Sequence, residues 1–139
     1  MQEVITTKDR LMVAFGYLLP MIFPLSLLNI VITVVYWYVA PYQSPFFDHH
    51  MKENINAQIS YQLYILVSFV LFFVFGLIGT SYPGAMPDVF QVMLPLATFG
   101  FIGIIALIIL FWWVIFVIAI IASIAKKYFS FPLIIRFIR

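Results

Sequence analysis

The segment best supplied with groups that could do chemistry is 44–64, SPFFDHHMKENINAQISYQLY. It carries Asp48, His49, His50, Lys52 and Glu53, followed by Asn54, Gln58 and Gln62. The three amides recur every fourth residue, so a helix places them on one face, with Tyr61 beside them. A polar stripe of this kind lines a cavity, receives a partner, or hydrogen-bonds neighbouring helices at about 1 kcal/mol each. His49 and His50 are adjacent, hence about 100° apart on a helix, and poorly placed to share a metal. They are expected to be solvated at an interface. Asp48 is expected to cap the helix that follows, with Phe46 and Phe47 dipping back toward the membrane surface. Paired carboxylates, a nucleophile elbow and a phosphate loop are all missing, and no base is positioned beside a Ser or Thr. The chain has no cysteine, which removes thiolate metal sites and Cys nucleophiles. The expectation is therefore a protein that is not an enzyme, with no cofactor and no metal. Asp48, His50, Lys52, Glu53, Asn54, Gln58 and Gln62 are the candidates for a polar seam or partner contact.

The elements that position these groups follow from composition. The chain has 139 residues, 65% hydrophobic and only 9% charged, against about 25% charged in a soluble domain. So few charges cannot cover a soluble surface of this size, whereas lipid accepts apolar residues directly. The 16 Phe suit lipid-facing positions, and the 8 Tyr and 3 Trp suit the interface. The length allows a single domain, 1–139.

Charges divide the chain into three apolar segments, about 11–39, 55–79 and 96–125. A hydrocarbon core of about 30 Å needs about 20 helical residues. The second segment fits one span, ended by Gly79 and Pro83. The third fits another, with Pro95 separating a short lead-in from the span proper. The first contains Pro20 and Pro24 and is either one kinked span or a hairpin that enters and returns. Between them lie an island, 40–54, and a loop, 80–95. The fold class expected is thus all-α: a polytopic membrane protein with two full transmembrane helices, a Pro-broken N-terminal hairpin or kinked span, and an amphipathic C-terminal segment. No cleavable signal peptide is apparent, since MQEVITTKDR is polar and no small-residue cleavage site follows.

The basic residues favour the return. With a hairpin, head, island and tail share one side, and all seven Lys and Arg lie there, because loop 80–95 has none. Both termini are then cytoplasmic, in a bacterial inner membrane. Gly76 and Gly79, and Gly100 and Gly103, repeat a spacing of three and predict close helix packing, either between the two spans or in an oligomer. Lys126, Lys127, Arg136 and Arg139 are expected to anchor the tail among anionic headgroups. Trp112 and Trp113 are expected to pack or to face lipid. Seven basic residues at a lipid surface exclude a nucleic-acid role.

Segments 44–64 and 120–139, the latter IIASIAKKYFSFPLIIRFIR, together with the Pro-broken first stretch, resemble the bacterial homologues of Tic Twenty. These are small membrane proteins named for a component of the chloroplast inner-envelope import translocon. Pro45, Phe46, Asp48, His50, Lys52, Glu53, Asn56 and Gln58 match that family's island. Tyr128, Pro132, Arg136 and Phe137 match its ending. The resemblance implies a helical membrane fold with both termini on one side and a link to protein translocation. The function expected is a non-catalytic accessory of a larger membrane assembly, with lipid and other membrane subunits, or further copies of itself, as partners. The alternatives are a self-assembled channel or small transporter lined by the Asn54–Gln58–Gln62 stripe, and an immunity protein against a membrane-active peptide.

Overall fold

The structure is a computed structural model that describes residues 5–22, 26–40, 44–81 and 88–138; the side chains of 26, 78–81, 88–92 and 94 fall outside that description. The described residues form four α-helices and no strand. These are α1 (Thr7–Ile22), α2 (Ser26–Val39), α3 (Pro45–Ser81) and α4 (Asp88–Ile124). Two helices are long and apolar enough to cross a membrane, over Pro45–Leu77 and Pro95–Ile124. Only 6% and 22% of their most apolar windows are buried, so they are not the core helices of a soluble fold. The chain is a helical membrane protein.

The first apolar segment is a hairpin. At 16 and 14 residues, α1 and α2 are about 24 and 21 Å long, each too short to span about 30 Å. They run back along one another. The Tyr36 hydroxyl donates to the Met12 carbonyl at 2.9 Å, and the Phe15 and Tyr36 rings meet edge to face at 5.4 Å. Pro20 lies inside α1 and does not end it; Pro24 lies outside the described residues.

Three helix ends have a clear local cause. Thr6 and Asp9 form a capping box on α1. The Asp9 amide donates to Thr6 Oγ1 at 3.2 Å, while the Thr6 amide and hydroxyl donate to Asp9 Oδ2 at 2.8 and 2.6 Å. Ser44, not Asp48, caps α3: its Oγ accepts from the Phe47 amide at 3.1 Å, and Pro45 takes the first helical position, where no donor is needed. Phe46 and Phe47 are accordingly fully buried in the first turn and do not reach an interface. Helix α4 ends in a Schellman motif with Lys126 in the left-handed region at φ 59°. The Lys127 amide donates to the Ala122 carbonyl at 2.9 Å and the Lys126 amide to Ser123 at 3.1 Å. Arg10 Nη1 donates to the freed Ile124 carbonyl at 3.2 Å, a cation at the negative end of the helix. Pro95 does not separate a lead-in from α4, which runs unbroken from Asp88 through it. One proline costs a single hydrogen bond of a 37-residue helix.

The chain divides into two compact units, Met1–Gln62 with Trp112–Arg139, and Leu63–Phe111. The second is almost wholly apolar, with Phe72 stacked on Phe101 at 4.3 Å and Phe69 edge-on to the same ring at 5.3 Å. An added Cβ at Gly76, Gly100 or Gly103 would meet nothing within 4 Å, so these glycines mark no close approach within the chain. The surroundings of Gly79 lie outside the described residues. The tight glycine is Gly16 of α1, in the first unit, where a Cβ would stand 2.5 Å from Met51 Cε and 3.2 Å from the Tyr36 ring.

Candidate functional site

The first unit gathers nearly all the buried polar groups, and Pro20 explains the first of them. Having no N–H, it leaves the Gly16 carbonyl, four residues back, without its helical donor. Asn54 Nδ2 supplies one from α3 at 2.9 Å. Asn54 Oδ1 then accepts from Gln58 Nε2 at 2.9 Å, and the same Nε2 donates to Thr33 Oγ1 of α2 at 2.9 Å. Thr33 in turn donates to the Asn29 carbonyl at 2.8 Å. Every member of this chain has one direction. The Thr33 proton is committed to Asn29, so Gln58 must present its NH2 to Thr33, and its Oε1 faces away. Asn54 and Thr33 are fully buried and Gln58 is 4% exposed. Two members of the stripe thus tie α3 to the hairpin. Gln62 lies beyond them; with Gln58, Asn29, Tyr61, Trp112 and Trp113 it lines a cavity of about 120 Å³.

A second face of α3 holds the C-terminal segment, which forms no helix. Glu53, 6% exposed, accepts from the Phe131 amide at 2.9 Å through Oε2 and from Arg136 Nε at 3.2 Å through Oε1. Ser60 Oγ accepts from the Ile135 amide at 2.8 Å. Asn56 Oδ1 accepts from the amides of Phe137 and Ile138 at 3.0 and 2.9 Å, and its Nδ2 donates to the Ile138 carbonyl at 2.8 Å. The tail therefore climbs α3 from Glu53 to Ser60 and returns to Asn56. The chain turns at Pro132–Leu133, between the Glu53 and Ser60 contacts, and Leu133 takes a left-handed φ of 58° there. Side chains of α3 replace the ladder that an extended segment otherwise needs.

The remaining island residues are structural as well. Asp48 pairs with Lys52 at 2.8 Å and accepts from Trp37 Nε1 at 3.1 Å. His50 is not a solvated interfacial histidine but is fully buried. Its Nδ1 lies 2.8 Å from the Tyr17 hydroxyl, and its ring is enclosed by Phe46 and Tyr128. His49 Nε2 lies 3.2 Å from the Phe129 carbonyl. Trp112 is buried against Tyr61 and Phe131, and Trp113 is half exposed. Of the expected surface anchors, Lys126, Lys127 and Arg136 are exposed, though Arg136 leans on Glu53; Arg139 lies outside the described residues. Among the described residues no group of three His, Asp or Glu converges.

At Asp9, burial pushes the carboxyl up, but hydrogen bonds from Thr6 and Ser44 outweigh it and hold it below the ordinary 3.8. Sequence reasoning missed the capping box, although Thr-x-x-Asp is its signature. It also missed Asn56 and Ser60 as tail contacts and Gly16 as the tight packing point. Those roles depend on what packs opposite, which no local pattern records.

No curated protein and no solved structure matches this chain. One family model does, that of the magnetosome magnetite crystal formation proteins, over residues 8–138. This corrects the likeness to Tic Twenty homologues, and the link to protein translocation goes with it. Residues such as Pro45 and Asp48 that suggested that likeness serve a helix start and a first-turn ion pair. These are generic needs of a helix entering a membrane, and they discriminate poorly between small membrane families. With nearly its whole length covered by the one model, the chain belongs to the magnetosome magnetite crystal formation family.

Proposed function

We propose that the protein is a non-catalytic, membrane-embedded subunit of a larger membrane assembly that takes part in magnetite crystal formation. The second half of that reading comes from the family's description. The first half rests on how the polar groups are used. Asn54, Asn56, Ser60 and Glu53 all bond this chain's own backbone, and none is left converging on a substrate. The exposed apolar faces of 63–111, with open space at Gly76, Gly100 and Gly103, give other membrane helices a surface to meet.

Both termini lie on the cytoplasmic side in this reading. It is supported by the returning hairpin, by the bond from Arg10 to the end of α4, and by the pairing of Arg136 with Glu53. These gather Lys8, Arg10, Lys52, Lys126, Lys127 and Arg136 at the same end of the first unit. The test is complementation in a magnetite-forming bacterium stripped of its own family members. Crystals regaining their normal dimensions by electron microscopy, with the chain co-purifying with membrane partners in mild detergent, is the expected result. Unchanged crystals and a strictly monomeric protein without partners would refute it.

A further inference from the structure

We infer that Arg10, Lys126 and Lys127 form a binding site for the phosphate of an anionic phospholipid at the edge of the bilayer. The end of α4 brings these cations together. Arg10 Nη1 donates to the Ile124 carbonyl at 3.2 Å, and its Nη2 donates to Thr7 Oγ1 at 2.9 Å. These bonds leave one N–H on each of the two nitrogens. Lys126 and Lys127 follow Ile124 directly after Ala125, and both are exposed. The bonds that close α4 there run through their backbone amides, so their ammonium groups are not needed to end the helix.

Missing counter-charge sets these three apart from the other basic residues. The carboxylates with described side chains are Asp9, Asp48 and Glu53, and each is taken. Asp48 pairs with Lys52 at 2.8 Å and Glu53 with Arg136 at 3.2 Å. Asp9 is bonded by Thr6 and stands close enough to Lys8 for the two charges to attract. Among the described residues no ion pair reaches Arg10, Lys126 or Lys127. Like charges gathered in this way favour an anion beside them. Arg136, expected from the sequence to serve the headgroups, is neutralised by Glu53, and Arg10 takes its place. The neighbouring surface selects a lipid over a soluble anion. Leu11, next to Arg10, and Ile121 and Ile124, on one face of the last turn of α4, are each more than half exposed. Apolar surface beside a basic rim fits acyl chains and a phosphate together, whereas a soluble phosphate would use the rim alone.

The test uses the full chain in an uncharged mild detergent, with lipid binding followed by native mass spectrometry. Phosphatidylglycerol, whose head is anionic, is compared with phosphatidylcholine, whose phosphate carries its own counter-charge. Selective phosphatidylglycerol adducts are expected. Lys126→Gln or Lys127→Gln should weaken them about fivefold, and the two together about thirtyfold. Lys52→Gln and Arg136→Gln remove the same charge from paired residues and should change binding by less than about twofold. Glycerol phosphate, which has the charged head without acyl chains, should displace the lipid only weakly. Equal losses in all four single variants would mean diffuse attraction to a basic surface and would overturn the inference. So would adducts indifferent to both lysines, or an absence of preference for phosphatidylglycerol. Displacement by glycerol phosphate at concentrations matching the lipid would overturn it too, because the ligand would then be a soluble anion.

Discussion

Asn54 and Pro20 form a matched pair. The proline creates an orphan carbonyl at Gly16, and the asparagine, 38 residues away in sequence, satisfies it. Asn54→Leu is expected to destabilise the protein by about 1–3 kcal/mol, because a buried carbonyl loses its donor. Adding Pro20→Ala returns an N–H to the Gly16 carbonyl and should recover part of that loss. Thermal unfolding in detergent of the two single variants and the double one checks this; strictly additive effects would mean the two residues are independent. Asp9 offers a pH test. Its folded pKa lies below the ordinary 3.8, so its contribution is fully present above that value and is lost as pH falls through the lowered folded pKa. The acid limb of a stability–pH curve should therefore flatten in Asp9→Asn. That the amides share a helix face was legible in the sequence, because the period of a helix is fixed. That they bond a proline-freed carbonyl and a threonine was not, because their partners lie on other helices.

Among the elements, the hairpin and the tail depend most on α3. Gly16 lets α1 approach Met51, so Gly16→Leu is expected to cost about 1–3 kcal/mol by overpacking. Gly100→Ala, with open space around it, should stay within about 0.5 kcal/mol of the parent. Equal effects at the two positions would contradict the packing described. Lys126 closes α4 in a conformation that favours glycine, so Lys126→Gly should raise stability by about 1 kcal/mol in the same unfolding assay. The tail is held by Glu53, Asn56 and Ser60. Asn56→Leu should free residues 137 and 138 and speed removal of the C-terminus by carboxypeptidase. The apolar segments were readable from charge alone. The starting residue of α3 was misplaced because Asp48 and Ser44 are both good caps, and Pro45 between them decides for Ser44. The tail's extended path was hidden because basic and apolar residues alternate equally well in an amphipathic helix and a pinned strand.

At the scale of the whole molecule, the first apolar segment of this membrane protein folds back on itself. The short helices α1 and α2 return together, and the ends of α1, α3 and α4 meet where the basic residues are. Composition established the membrane, because 9% charge cannot solvate 139 residues. The family came only from the match over residues 8–138, since small membrane helices of different families obey the same lipid constraints. The most direct test of the folded-back arrangement is sided cysteine labelling, unambiguous here because the parent chain has no cysteine. Single variants Lys8→Cys, Lys52→Cys, Lys127→Cys and Gly84→Cys would be probed in intact and opened cells with an impermeant maleimide. Positions 8, 52 and 127 are expected to react only after opening, while 84 reacts in intact cells. Labelling of position 8 from the side opposite to 52 and 127 would contradict it, because the first segment would then cross the membrane once.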